Sequence, residues 1–237
     1  MNLHTNTSAR ESILKSIRDH LAISAPVDAT GRSSSIPHLS PGQSNLDLLS
    51  LDSGVVERSS LKQIFKDNLQ AVGGCCIVAQ NDAEATQAVT NIISDLRKTS
   101  LRGRRIALSN SPVVQTLFKG TQVDVDEITV NPSRPDIFGY DVGVSAAQYG
   151  IAETGTLVLE SDAERHRLVS LVPPVHIAFV EADKICLTLA EALAKVNQAN
   201  KLSPAVTFIT GPSRTADIEL TLAIGVHGPQ QLYVIVI

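Results

Sequence analysis

Apolar positions recur at two spacings along the chain, and the switch from one to the other sets out its elements. Ser8-Ala-Arg-Glu11 has the form in which a hydroxyl caps a helix and a glutamate three residues on reaches back to it. Ile13, Leu14, Ile17 and Leu21 follow at helical spacing, which predicts an amino-terminal helix within residues 1–24. Pro26, Pro37, Pro41 and Gly42, set among serines, break any period, so residues 25–57 are expected to be a linker or a loosely packed arm.

From residue 58 to residue 237 the pattern is regular and predicts the main domain. Leu61, Ile64, Phe65 and Leu69 mark a helix that stops near Gly73-Gly74, and Cys75 to Ala79 is a buried strand. Asn81-Asp-Ala-Glu84 repeats the capping logic ahead of a helix whose apolar face is Ala85, Ala88, Val89, Ile92 and Leu96. A strand (Arg105 to Ser109), a short helix (Pro112 to Phe118) and an extended segment (Val123 to Val130) come next, then a proline-rich loop to Tyr140. Small residues from Asp141 to Tyr149 predict a further helix. Gly155 to Glu160, His176 to Val180, Ala205 to Thr210 and Gln231 to Ile237 read as strands, and Thr188-Leu-Ala-Glu191 opens another helix. Repeated βα units with continuously apolar strands imply an α/β fold, a mostly parallel sheet with helices on both faces.

Two polar stretches interrupt this scaffold. In the first, Glu153, Thr154 and Thr156 stand at the entrance of a strand beside Gly155, with Arg165, His166 and Arg167 beyond it. In the second, Gly211-Pro-Ser-Arg-Thr-Ala-Asp217 follows a strand, which in an open α/β sheet is expected to set it at the carboxyl ends of the strands where ligands bind, and precedes the helical-looking LTLAIG and then His227. A helix start there would offer free amides to an anion, with Gly211 for the turn, Ser213 or Thr215 as cap and Arg214 as a two-pronged donor. Asp217 in the first turn serves either the helix dipole or a ligand, and His227 either a turn or catalysis. Glu153 is a candidate base or nucleophile, or else a partner for Arg214 or Arg165, while Arg165 and Arg167 lie on a ligand face or on a solvated one.

Composition narrows the chemistry. A net charge of −4 with 3% aromatic residues and no tryptophan gives no footprint for nucleic acid. No apolar run approaches the roughly 18 residues of a membrane span, and the start of the chain lacks the order of a secretory signal, so a cytoplasmic protein is expected. Cys75, Cys76 and Cys186 form no C-x-x-C pair and are expected to be buried thiols rather than metal or cluster ligands. The scattered histidines suggest no metal site, and no G-x-G-x-x-G fingerprint for flavin or nicotinamide is present.

The run GIAETGTLVL, then SLVPPVHIAFV, then TGPSRTADIELTLAIGVHGP before an apolar carboxyl-terminal strand resembles the LUD-domain family, over roughly Leu61 to Ile237, and ARESILKSIRDHL is similar to its amino-terminal helix. The resemblance implies a NagB/RpiA/CoA transferase-like fold. It also implies a part in oxidising L-lactate to pyruvate, without a cofactor on this chain and beside partner proteins that carry iron–sulfur clusters. On that basis the chain is expected to be a non-redox component binding a small anionic ligand or those partner subunits. The alternative is a stand-alone enzyme for acyl, CoA or phosphorylated substrates, with Glu153 as base or nucleophile.

Overall fold

The computed structural model describes residues 58–119, 121, 123–161, 167–198, 203–216, 222–224 and 228–237, together with Lys15. The predicted arm, and all but Lys15 of the predicted amino-terminal helix, lie outside the described residues. In chain order the elements are α1 (Arg58–Ala71), β1 (Cys75–Val78), α2 (Asp82–Leu96), β2 (Arg105–Leu108), α3 (Pro112–Lys119), β3 (Glu127–Val130), β4 (Val142–Ala147), β5 (Tyr149–Ile151) and β6 (Thr156–Glu160). There follow α4 (Leu168–Leu171), β7 (Val175–Val180), β8 (Ile185–Cys186), α5 (Leu189–Gln198), β9 (Val206–Ile209), β10 (Arg214–Ala216), β11 (Leu222–Ile224) and β12 (Gln231–Val236).

Six strands make one parallel sheet in the order β1-β12-β7-β4-β2-β3. Successive side chains on these strands point to opposite faces. Val142, Val144, Val175, Ile177, Phe179 and Ile235 pack with the apolar faces of α2 and α3. Cys76, Ala147, Ala178, Val180, Leu232 and Val234 pack on the other face, against Phe65 and Leu69 of α1 and Leu157 and Leu159 of β6. That second face is covered by more than helices, because β8-β5-β6-β9 form a separate four-stranded sheet with α5 packed on it through Ala192 and Val196.

Local signals act as the residues suggest. Asn81 Oδ1 accepts the amide of Glu84, and the amide of Gln80 donates to Glu84 Oε2 at 2.8 Å, a reciprocal cap that satisfies two otherwise orphaned donors. The same pairing recurs where Glu191 N–H donates to Thr188 Oγ1 and Leu187 N–H donates to Glu191.

Residues 141–149 are the clearest correction: they form β4 and the start of β5, not a helix. Each residue of β4 is buried. Its neighbours β2 and β7 supply the ladder, and Gly143 is small where the Val169 carbonyl approaches closely. Alanine and serine carry no alternation of polarity, so tertiary pairing decides their state. Cys75 corrects the thiol reading, being exposed at the start of the edge strand β1, whereas Cys76 and Cys186 are buried. Burial pushes the Cys76 thiol up to about 11, which keeps it protonated and unreactive at neutral pH.

On the opposite edge, Glu127 collects four donors. Tyr140 O–H donates at 2.6 Å and Thr129 Oγ1 at 2.8 Å to one oxygen, and Arg105 Nε and Nη2 reach the other at 2.9 and 2.8 Å. These bonds, that from Tyr140 first, hold the Glu127 carboxyl down at about 2 against an ordinary 4.5. A group depressed on folding stabilises the protein above its unfolded value and loses that contribution as pH falls through the folded one. The stability advantage of wild type over a Glu127→Gln variant should therefore shrink between pH 4.5 and 2, as read by urea midpoints across that window. An advantage that stays constant with pH would contradict this.

Candidate functional site

The first polar stretch is a tight turn between β5 and β6. Gly155 takes φ +63°, and an added Cβ would lie 2.2 Å from the Leu69 amide nitrogen, so only glycine lets the turn sit against α1. Asn68 fastens the same turn by donating to the Ala152 carbonyl at 2.8 Å. Thr154, Thr156 and Thr210 form a chain of hydroxyls, 2.7 Å at each step, that ties the turn to the end of β9. Glu153 is exposed and looks elsewhere: its carboxylate accepts the Leu189 amide at 2.7 Å, at the first residue of α5. There it satisfies an orphan donor and complements the helix dipole.

The second stretch departs from expectation in two ways. Among the described residues no helix follows Gly211; Arg214–Ala216 and Leu222–Ile224 pair as antiparallel strands where a helix start with free amides was expected. And β9 belongs to the second sheet, antiparallel to β6, so the segment leaving it does not reach the carboxyl rim of the parallel sheet. It lies instead at the amino ends of the strands. Gly211, at φ +80°, lies over the Val72 carbonyl just ahead of β1, and the Ser213 amide donates to the Pro229 carbonyl just ahead of β12. Arg214 is exposed and donates from Nη2 to the Val72 carbonyl at 2.7 Å.

The structure thus joins Thr154, Gly155 and Thr156 to Thr210 and Gly211 around the end of α1. It gives Glu153 and Arg214 separate partners, with no ion pair between them among the described residues. Arg167 is exposed, just before α4. Arg165, Asp217, His227 and the side chain of Thr215 lie outside the described residues.

Beside this junction is a cleft of about 220 Å³, lined among others by Ser170, Leu171, His176, Phe208, Gly211 and Ser213. His176 is fully buried near the start of β7. Its Nε2 lies 2.8 Å from Ser145 Oγ on β4, and its Nδ1 is the one buried side-chain polar atom among the described residues without a protein partner. Burial lowers the imidazole to about 3, so the ring is neutral at physiological pH. A larger groove between α2 and α3, about 580 Å³, is lined by Asp82, Thr86, Gln87, Thr90 and Thr116 and contains no such atom. His176 gives little sign of function in the sequence because it sits in an apolar strand; a histidine among Val, Ile, Ala and Phe is the signal there. Among the described residues no three histidine, cysteine or acidic side chains cluster to hold a metal, and no helix is long and apolar enough to cross a membrane.

The profile of the LUD domain matches residues 62–237. The chain belongs to the LUD-domain family. An uncharacterized protein of Neisseria meningitidis serogroup B is 33% identical over 184 residues, 77% of this chain and 69% of that protein. Lactate utilization protein C 1 of Bacillus mycoides is 40% identical over 101 residues, 40% of this chain and 43% of that protein. Lactate utilization protein C of Deinococcus radiodurans is 38% identical over 106 residues, 44% and 50% of the two chains. The chain's match to these two proteins spans half or less of their own length. A crystal structure of a DUF162 family protein from Deinococcus radiodurans superposes with a TM-score of 0.54 at 24% identity, covering 76% of this chain and 98% of that one, which shows the shared α/β fold.

Proposed function

We propose that this LUD-domain chain serves L-lactate utilization, the oxidation of lactate to pyruvate, as a component that does no redox chemistry itself. What supports the reading is its likeness to proteins named lactate utilization protein C, at 40% and 38% identity in two genera. Electron transfer needs a cofactor, and on this reading it belongs to partner subunits carrying iron–sulfur clusters, to which this chain docks. Arg214 spends one of its donors on Val72 and is exposed, so the rest of its fork can receive a small anionic ligand or an acidic partner side chain.

Purified chain alone should fail to oxidise L-lactate with an artificial electron acceptor, and tagged chain should retain cluster-bearing partners from cells grown on lactate. Lactate oxidation by the isolated protein would overturn the non-redox role. An Arg214→Ala variant should stay soluble yet fail to support lactate-dependent growth. The other reading, a stand-alone acyl-transfer enzyme, would first require Glu153 to leave the Leu189 amide.

A further inference from the structure

His176 offers a second site, independent of Arg214 and of the lactate reading. A buried hydroxyl hydrogen needs an acceptor. Ser145 is 1% exposed, and its Oγ meets His176 Nε2 at 2.8 Å. The Ser145 O–H therefore donates to Nε2, which places the ring hydrogen on Nδ1. A protonated, neutral Nδ1 is a hydrogen-bond donor left without a protein partner, on a buried residue that lines the cleft, and an unmet donor costs free energy.

The rest of the lining fits one kind of occupant. Leu171, Phe208, Ile209 and Leu232 are apolar, and Leu171 and Phe208 stay 37% and 42% exposed at the mouth. Ser170 already donates its hydroxyl to the Arg167 carbonyl and Thr210 is bonded to Thr156, leaving Thr207 and Ser213 as the other hydroxyls of the lining. No charged side chain lines the cleft among the described residues, and a carboxylate buried without a countercharge is expensive. We propose that this cleft binds a small uncharged acyl compound, its carbonyl oxygen accepting from His176 Nδ1–H and its short aliphatic body lying against Leu171, Phe208 and Leu232.

The test uses the full chain labelled with nitrogen-15 in its histidines, titrated with pyruvamide and with pyruvate, two probes of one shape that differ in charge. The free protein should show His176 as the Nδ1–H tautomer. Pyruvamide should shift its Nδ1 resonance saturably, and pyruvate should bind at least about tenfold more weakly, a gap of about 1.4 kcal/mol. His176→Leu, which keeps the volume and removes the N–H, should lose at least about tenfold in pyruvamide affinity. Where that variant does not fold, Ser145→Ala should weaken binding in the same direction by releasing the tautomer. An Nε2–H tautomer, a preference for pyruvate, no shift with pyruvamide, or unchanged binding in the variant would each overturn the proposal. Growth on lactate decides the other reading, and either can fail without the other.

Discussion

Replacing Gly143 by alanine should remove most of the folded protein. A Cβ at that position would stand 1.8 Å from the Val169 carbonyl oxygen, 2.9 Å from its carbon and 3.1 Å from Pro173. These are backbone and ring atoms that no rotamer change can clear. The short helix α4 would have to lift from β4, opening the cluster of Ala107, Ile137, Tyr140 and Val169 and disturbing the central strand that carries Ser145. Overpacking typically costs about 1–3 kcal/mol, and a backbone collision at the middle of the sheet belongs above that range. Set against a total stability of about 5–15 kcal/mol, the result should be a large drop in soluble yield and in the urea midpoint. A midpoint within experimental error of wild type would show that α4 is not seated as described.

Gly155→Ala should come next in severity, at about 2–5 kcal/mol, from two sources. One is the left-handed φ of +63°, which an L side chain adopts reluctantly; the other is contact with the Leu69 amide nitrogen at 2.2 Å and its Cα at 2.5 Å. Gly150→Ala is the natural control, since its nearest contacts are side-chain carbons of Phe65 and Ile185 at 3.2 and 3.3 Å. Equal midpoints for the two variants would show that the turn from Ala152 to Gly155 is not held against α1. A lowered midpoint confined to Gly155→Ala would also loosen the hydroxyl chain from Thr154 to Thr210, the junction between the two polar stretches.

The sequence made the local features legible because their causes are local. Asn81 with Glu84, Thr188 with Glu191, and the face from Ala85 to Leu96 lie within one helix each, where spacing alone determines which side chains meet. The parallel character of the main sheet followed from the unbroken apolar runs at Val175–Val180 and Gln231–Val236. What escaped was decided at long range. Val142–Ala147 has the composition of a helix and the surroundings of a central strand. β9 reads like any other strand, yet its partner is β6, and that pairing carries Gly211 to the amino rim of the parallel sheet. Glu153 meets Leu189, and His176 meets Ser145, across 36 and 31 residues, so the residues of each contact could be named but not matched. Arg214–Ala216 and Leu222–Ile224 depart from the expected helix for a different reason: leucine and alanine suit a helix, and pairing between the two short strands outweighs that preference.

The proposed role in lactate use is tested most directly by deleting the coding sequence and growing the strain on L-lactate as sole carbon source. Growth should fail on lactate, persist on pyruvate, and return when the full-length chain is supplied in trans. Undiminished growth of the deletion strain on L-lactate would contradict the account.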